Sequence, residues 1–381
     1  MKIKAYKYRL YPTELQKCSL NQHFGNVRWI YNYALDYSTK QYIETKKNTS
    51  RYDIQAKLPE LKKEHEWLKH SNSQSLQVSL INLESAYKRF FRKQGGFPKF
   101  KSKHDKQTFG VPQNVNIDFE KQTVSIPKFK SIKVVVSRTF DGIIKSATVS
   151  KSKTNKYYIS ILVETNEIIP NKKPISESKA VGIDVGLKSL LVLSDGKVYD
   201  NPKYYRKSEQ KLQRMQRWSS RKVKGSNNRK KHNCLLATQH EKVSNQRADM
   251  WHKISHDIVS NYDTICIEDL NIAGMLKNRH LSKSISDAGW GMFFTMLKYK
   301  CEWNGKNLLE IGRFEASSKI CSNCGVKNNN LTLKHREWVC NDCGSKHDRD
   351  INASINIKRF ALNKITIGQD MPEFTLVENE Q

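Results

Sequence analysis

Residues 180–200 read AVGIDVGLKSLLVLSDGKVYD, and this stretch decides the fold of the second half of the chain. AVGIDVG and SLLVL are two apolar runs of strand length. The pair Asp195-Gly196 before KVYD is typical of a tight hairpin turn. The stretch therefore predicts three consecutive strands. It also places one carboxylate, Asp184, inside an apolar strand, where an unpaired charge is costly to bury.

Two further acids fit the same pattern. Glu268 ends the short apolar strand in TICIEDL (264–270), and Asp350 opens a last helix that begins at about residue 349. Asp350 is in line with three apolar positions at 3,4,3 spacing, so it shares the buried face of that helix. A strand with an Asp and a hairpin partner, a strand with a Glu, and then a helix with an Asp is the order typical of a ribonuclease-H-like fold.

Three carboxylates gathered in one place resist ionising together unless cations neutralise them. We therefore predict that Asp184, Glu268 and Asp350 are catalytic and hold two Mg²⁺ ions that hydrolyse a phosphodiester. A helix cap or a salt bridge is the simpler reading for any one of these acids alone, and the three together favour the nuclease. The weaker candidates nearby are Asp195, Asp269 and Asp348, the first a turn residue and the last a helix cap.

Four of the eight cysteines form two CxxC-Gly elements, Cys321/Cys324 and Cys340/Cys343. Each element is a turn that brings two sulfurs to one metal, and four thiolates complete a tetrahedral shell. The pattern predicts a zinc ribbon whose Zn²⁺ is structural. The N-terminus lacks the apolar core of a signal peptide, so disulfides are not expected. The remaining cysteines are predicted to be buried hydrophobes; they are Cys18, Cys234, Cys266 and Cys301.

The charge balance indicates a polyanionic partner. Lys and Arg number 67 against 37 acids in 381 residues, a net charge of +30, which favours nucleic acid over a membrane. Residues 201–250 concentrate 14 Lys/Arg against 3 acids on predicted long helices, where a solvated helix face is the simpler alternative. The residues expected to contact phosphates are Lys203, Arg206, Lys207, Lys211, Arg214, Arg217, Arg221, Lys222, Lys224, Arg229, Lys230 and Lys231.

The first half of the chain reads as strand, helices and then sheet. A basic strand at 2–11 is followed by a capping box at Thr13-x-x-Gln16 and an amphipathic helix. A second helix is predicted to open at Ser71-x-x-Gln74. From about residue 115 the apolar period becomes two, which predicts an antiparallel sheet or small barrel that the first strand joins. Residues 165–179, polar with two prolines, are the predicted linker.

Several of these segments resemble the TnpB proteins of insertion sequences, compact relatives of the type V CRISPR nucleases. The motifs in the second half are GIDVGLKSLLVLSDG, NQRADMWHK, IEDLNIAGM, SSKICSNCG, REWVCNDCG and HDRDINASINI. Those in the first half are YRLYPT, FGNVRWIYNYAL and FFRKQGGFPKFKSK. The resemblance covers residues 1–362.

The resemblance implies an α+β multidomain fold with a wedge-type β-barrel, an inserted helical recognition lobe and a RuvC-like, ribonuclease-H-like α/β nuclease domain with an inserted four-Cys zinc ribbon. The expected ranges are 1–10 and 110–166 for the barrel, 11–109 for the lobe, 167–179 for the linker, 180–319 and 346–365 for the nuclease, 320–345 for the ribbon and 366–381 for a flexible tail.

The resemblance also implies a Mg²⁺-dependent, RNA-guided DNA endonuclease. Its guide RNA comes from the transposon end and pairs with target double-stranded DNA, while the protein reads a short adjacent motif. The carried-over nuclease acids and zinc ligands are those named above. We expect motif reading near Tyr52 and Gln77, because glutamine can make two hydrogen bonds to adenine. We expect a cytosolic, nucleoid-associated prokaryotic protein without a membrane partner.

Two alternatives stay open. A DNA strand-transferring transposase uses the same carboxylate fold, although the zinc ribbon and the basic helical insertion between the first two acidic strands favour the guided nuclease. A nuclease-inactive, RNA-guided DNA-binding repressor is the second alternative, and the intact acids argue against it. A discrete copurifying RNA would separate guidance from transposase activity.

Overall fold

The structure is a computed structural model that describes residues 1–313, 315, 317–332 and 335–366. It divides the chain into two compact units, Met1–Ile168 and Ile169–Gln381. The predicted tail, 366–381, lies outside the described residues except for the backbone of Thr366. No helix among the described residues is long and apolar enough to cross a membrane.

The first unit combines an antiparallel sheet with helices inserted after its first strand. Its elements are β1 Lys2–Tyr11, α1 Glu14–Thr45, α2 Arg51–Ala56, α3 Leu58–Glu64, α4 Ser73–Phe91, β2 Gln107–Val111, β3 Asn116–Asp118, β4 Thr123–Ile126, β5 Phe129–Val135, β6 Ile143–Lys151 and β7 Tyr157–Thr165.

The sheet has seven strands in the order β2-β6-β7-β1-β5-β4-β3. As the sequence predicted, β1 joins the sheet: it pairs with β7 along Lys2–Leu10 and with β5 through its last three residues. The sheet is antiparallel, as the period of two predicted, and β2 and β3 stand at the two ends of its strand order; the wedge-type barrel implied by the resemblance stays a prediction. β3 has only three residues, and α4 packs on β2, where Val78 contacts Gly110.

Local signals predicted one helix start and missed the other. Thr13 and Gln16 form the expected capping box of α1. The prediction for Ser71 is wrong: Asn72 caps α4 and accepts a hydrogen bond from the backbone N–H of Gln74. Ser71 is buried instead, and its hydroxyl oxygen accepts a hydrogen bond of 2.8 Å from the side chain of Asn26. The serine oxygen therefore serves tertiary packing and not the helix end.

The helices and the sheet of this unit share one hydrophobic core. The apolar stripe of α1, which includes Leu20 and Phe24, and the apolar face of α4, which includes Leu80, belong to the same cluster as the inward-facing strand residues. Phe109 of β2 lies against Phe24, with ring centroids 5.2 Å apart. The helical segment therefore folds together with the sheet and has no core of its own.

The second unit is a mixed α/β domain with a cysteine-rich insert. Its elements are β8 Ala180–Val185, β9 Ser189–Leu193, β10 Val198–Asp200, α5 Tyr204–Ser220, α6 Asn227–Asn261, β11 Thr264–Glu268, α7 Ile272–Met275, α8 Ser282–Ala288, α9 Trp290–Trp303, β12 Asn307–Ile311, β13 Glu337–Val339, β14 Lys346–Asp348 and α10 Arg349–Thr366.

Its main sheet has the strand order β10-β9-β8-β11-β12. The first three of these strands are antiparallel, and β8, β11 and β12 are parallel. Helices α6 and α9 cover one face, where Trp251 and Phe293 belong to the same hydrophobic cluster as Val181 and Ile183 of β8. Helix α10 covers the other face. This sandwich fixes which side chains of β8 and β11 face α10.

Gly289 separates α8 from α9, because it adopts a φ of +71° and ends α8. The prediction for the other cysteines needs partial correction. Of the cysteines outside the insert, Cys266 and Cys301 are buried as predicted, whereas Cys18 is exposed and Cys234 is partly exposed. Cys18 lies outside the buried stripe of α1, so burial was wrong for it.

Candidate functional site

Asp184 and Glu268 lie at matching positions of two neighbouring parallel strands. In the β8–β11 pairing, Gly182 is the partner of Cys266. Asp184 and Glu268 each follow two residues later on their own strand. Because side chains two residues apart in a strand share a face, this register brings the two carboxylates side by side on the face that α10 covers.

Asp350 approaches the same place from the first turn of α10. The helix packs closely on β8 at Gly182, where an added methyl group would overlap the carbonyl oxygen of Ser354 and lie 2.7 Å from the backbone nitrogen of Lys358. Asp350 is one helical turn before Ser354, and Asp184 is two strand residues after Gly182. The glycine thus permits the close approach that brings the helix acid near the strand acids.

The electrostatics of this group show that its members affect one another. Burial raises the pKa of the Asp184 carboxyl from 3.8 to about 8, and the negative charges of Asp350 and Glu268 act in the same direction. The Arg349 guanidinium and a hydrogen bond from the backbone of Val185 oppose this rise. Burial also raises the pKa of Glu268. Crowded carboxyls of this kind ionise together when cations neutralise them.

Arg336 is a partner of Asp350 that the sequence did not single out. Its Nη1 lies 3.3 Å from each carboxylate oxygen of Asp350. Its carbonyl oxygen accepts a hydrogen bond of 2.8 Å from the backbone N–H of Arg349, whose side chain donates to the carbonyl of Thr332. The cysteine-rich insert is therefore attached to the first turn of α10 by both charge and backbone contacts.

The three weaker acid candidates have structural partners. Asp195 lies in the β9–β10 turn and accepts a hydrogen bond from Tyr262. Asp269 forms an ion pair with Arg313, with contacts of 2.7 and 3.2 Å. Asp348 caps α10 as predicted, because its Oδ1 accepts hydrogen bonds from the backbone N–H groups of Asp350 and Ile351. None of these contacts requires a metal.

The four predicted zinc ligands form one cluster. Sγ atoms of Cys321 and Cys343 are 3.7 Å apart, and those of Cys324 and Cys340 are 3.6 Å apart. A tetrahedral ion with Zn–S bonds of about 2.3 Å requires sulfurs about 3.8 Å apart. Within the described residues, this is the one group of three or more His, Cys, Asp or Glu whose ligand atoms all lie within 4.8 Å. The cysteines therefore fit a metal ion, and the three carboxylates are more widely spaced.

The two cysteine turns have the same backbone geometry. Gly325 and Gly344 both adopt positive φ, +80° and +68°. Their N–H groups donate hydrogen bonds of 2.9 Å to the carbonyls of Cys321 and Cys340. The nearby His347 contacts the cluster, with Nε2 3.0 Å from Sγ of Cys321.

Two buried asparagines of α10 attach the first cysteine turn to the helix. Asn352 accepts a hydrogen bond of 2.8 Å from the backbone N–H of Ser322 and donates one of 2.8 Å to Ile320. Asn356 donates to the carbonyls of Ser317, at 2.8 Å, and Ile320. Both side chains are at most 1% exposed. The sequence signal for this contact is an i, i+4 pair of asparagines in the first half of α10, which the predicted site residues did not include.

The basic residues of 201–231 lie along α5, the turn after it and the start of α6. Ten of the twelve are exposed, and the other two, Lys222 and Arg229, are half-buried. Arg229 has a structural contact, since its Nη1 donates a hydrogen bond of 3.0 Å to the carbonyl of Lys222. The rest form a cationic surface on a helical hairpin.

Tyr52 and Gln77 belong to the first unit and lie on α2 and α4, which pack together. Tyr52 is 66% exposed, with the guanidinium carbon of Arg51 4.6 Å from its ring centroid. Gln77 is half-buried. These positions leave the tyrosine accessible to a partner.

Three family models match the chain. Residues 142–279 match OrfB_IS605, described as a probable transposase. Residues 290–357 match the Cas12f1-like TNB domain, and residues 1–47 match the helix-turn-helix domain HTH_OrfB_IS605.

Similar proteins cover almost the whole chain. A Streptomyces pristinaespiralis protein provisionally named RNA-guided DNA endonuclease is 37% identical, across 94% of this chain and 89% of its own. The Escherichia coli K12 protein InsQ, given the same provisional name, is 34% identical across 93% and 92%. The fold is similar to that of Cas12f1 in its cryo-EM complex with sgRNA and target DNA, with a TM-score of 0.58, 16% identity and coverage of 91% and 83%.

Proposed function

The chain belongs to the TnpB family of insertion-sequence proteins, and from this premise we propose that it is a transposon-encoded, RNA-guided DNA endonuclease. The observation that carries the proposal is the group formed by Asp184, Glu268 and Asp350. Register on two parallel strands and close helix packing at Gly182 bring these acids to one end of the sheet. The mutual effect of their charges on the pKa of Asp184 supports a shared role.

In this proposal the three carboxylates hold divalent cations, with Mg²⁺ the expected ion because hard cations prefer oxygen ligands. When bound, the ions supply Lewis-acid chemistry that activates water and stabilises the leaving oxygen of a phosphodiester. The protein's part is positional: β8 and β11 fix two acids side by side, and α10 brings the third. The Arg336 guanidinium adds a positive charge next to Asp350, where it can face a phosphate.

We assign the cysteine cluster to a structural Zn²⁺. Four thiolates leave no open coordination position for a substrate. The hydrogen bonds that Asn352 accepts from Ser322 and Asn356 donates to Ser317 tie the first cysteine turn to the helix that carries Asp350. In this proposal the zinc turn stabilises the position of a catalytic acid, and the metal takes no part in the reaction.

The proposed partners are a guide RNA from the transposon end and target double-stranded DNA. The names of the relatives and the nucleic acids in the Cas12f1 complex support this choice, as does the net charge of +30. The exposed Lys and Arg of α5 and α6 would contact phosphates and so be blind to sequence. Base pairing with the guide would supply the specificity.

The expected domain ranges remain part of the proposal. We assign 1–10 and 110–166 to a wedge domain, 11–109 to the recognition helices, 180–319 and 346–365 to a RuvC-like nuclease domain, and 320–345 to the ribbon. Tyr52 and Gln77 are the proposed readers of the adjacent DNA motif.

The test is a set of isosteric variants in the guide-loaded protein. Asp184→Asn, Glu268→Gln and Asp350→Asn should each reduce cleavage of a matched plasmid by at least roughly 10²-fold. Pairs of these changes should cause little further loss, because one centre is lost each time. Asp195→Asn is the matched control, an exposed turn acid whose loss should leave cleavage unchanged. Target binding measured by filter retention should persist in all four variants.

Substantial cleavage by Asp184→Asn would show that this residue is not part of the catalytic centre. Loss of target binding by a folded variant would show that the replaced acid serves binding instead of catalysis. A strand-transferring transposase is the second candidate, favoured by the description of the OrfB_IS605 model. Purification of the protein without a discrete RNA, together with specific binding to transposon ends, would select that candidate.

A further inference from the structure

The first unit contains an open groove that none of the proposed roles uses. It has a volume of about 710 Å³ and lies between the last turns of α1, the start of α2 and the end of α4. Its floor includes Ile54, Leu80 and Leu83, which are buried. On its rim, Phe91 is 67% and Phe97 48% exposed. Large exposed rings beside an apolar groove mark an interaction site.

The rim aromatics hold one another in fixed orientations. The Phe90 ring centroid is 5.3 Å from those of both Phe91 and Phe97. Tyr87 stacks on Phe91 at 6.4 Å with an interplanar angle of 23°, and meets Phe97 edge-on at 5.7 Å. Rings that are already ordered lose little conformational entropy when a flat partner stacks on them.

The charge around these rings identifies the class of partner. Residues 88–106 contain eight Lys/Arg and a single acid, Asp105. Lys88 lines the groove and pairs with Glu84 at 3.2 Å. Aromatic faces combined with a high density of cations are the features by which proteins bind single-stranded nucleic acid, with rings stacking on bases and cations on phosphates. A purely apolar peptide would gain nothing from these cations.

We propose that this groove stacks unpaired bases of the guide RNA, an inference that rests on the proposed RNA-guided function. The guide is a resident partner, so it covers the exposed rings permanently, whereas target DNA is present only during a search. The lining also includes Asn48 and Thr49, whose side chains can form hydrogen bonds with base edges and ribose 2′-hydroxyls.

The experiment compares single-stranded RNA 12-mers of mixed sequence with abasic 12-mers of the same length, bound to the full chain. Phosphate contacts are equal for the two probes, so the affinity ratio isolates base stacking. The wild type should prefer the base-containing RNA by roughly tenfold for each stacked base. Phe91→Ala/Phe97→Ala should reduce the preference to about one, and Phe91→Trp should retain it. Tyr11→Ala, a change at an exposed ring outside the groove, is the matched control and should leave the preference intact.

Several results would overturn the proposal. An equal affinity for base-containing and abasic RNA in the wild type is one, and an unchanged preference in the double variant is another. Tighter binding of the matching single-stranded DNA would assign the groove to target DNA. Self-association that disappears in Phe91→Ala would assign it to a second copy of the chain. The assay contains no cleavage step, so the measured binding preference can be interpreted even if the nuclease assignment is wrong.

Discussion

Replacing Gly182 by alanine should push α10 away from β8 and slow DNA cleavage while nucleic-acid binding persists. The added methyl group would overlap the carbonyl oxygen of Ser354 and lie 2.7 Å from the backbone nitrogen of Lys358, well under the 3.4 Å at which ordinary contacts begin. Both neighbours are backbone atoms, so no rotation of a side chain can relieve the overlap. The helix must therefore move outward by roughly 1 Å.

The expected size of the effect follows from that displacement. Asp350 is one turn from Ser354, so it moves with the helix relative to Asp184 and Glu268. A misplacement of about 1 Å in a catalytic group can cost on the order of 10²-fold in rate. Overpacking of this kind also reduces the free energy of unfolding by about 1–3 kcal/mol.

Single-turnover cleavage of a matched plasmid by the guide-loaded protein measures the first quantity, and urea unfolding measures the second. Gly291→Ala is the matched control, because its added methyl group meets one side-chain carbon at an ordinary 3.8 Å. It should be neutral in both assays. If Gly182→Ala is destabilised as expected but cleaves within threefold of wild type, the position of α10 does not set the geometry of the site and the reasoning fails.

The remaining predictions concern zinc, pH and salt. Cys321→Ser should lower zinc from about one ion per chain towards none and reduce cleavage through α10; metal analysis that finds no zinc in the wild type would contradict this. Burial lowers the pKa of His23 from 6.5 to about 4, and neither ring nitrogen has a hydrogen-bond partner among the described residues. Protonation therefore favours the unfolded state, and stability falls as the pH drops below 6.5. Between pH 7.5 and 5 the free energy of unfolding should fall by about 2 kcal/mol on account of His23, and His23→Leu should abolish this part of the decrease. Urea unfolding at both pH values measures it, and an unchanged pH dependence in the variant would refute the assignment. Arg214→Gln/Arg217→Gln should lower the slope of log affinity against log salt by about 0.7–0.9 for each lost phosphate contact. A library of adjacent motifs should show the same motif choice for this variant as for the wild type. Gln77→Ala should instead change the motif choice and leave the salt slope unchanged.

Two acids of the proposed site could be singled out from the sequence because each interrupts an apolar pattern. A carboxylate at position 184 in an apolar strand, or at position 350 on a buried helix face, is costly unless something binds it. The cysteines were found for a related reason, since CxxC-Gly spacing has few other uses. Local chemistry was sufficient in these cases.

What the sequence did not supply depends on contacts between distant segments. The pairing of Gly182 with Cys266 joins strands about 80 residues apart, and no local periodicity encodes it. Ser71 and Asn72 are both able to cap a helix, and only the distant Asn26 decides between them. In each case a tertiary contact decided between options that were locally equivalent.

The chain order of the three acids has a consequence for protein synthesis. Asp350 is made 166 residues after Asp184, on the helix that closes the main sheet. During translation the first unit and the basic hairpin of α5 and α6 are complete well before α10 emerges, and domains fold in that order. The chain therefore presents its proposed RNA-contacting surface before the third acid of the proposed catalytic centre has been made.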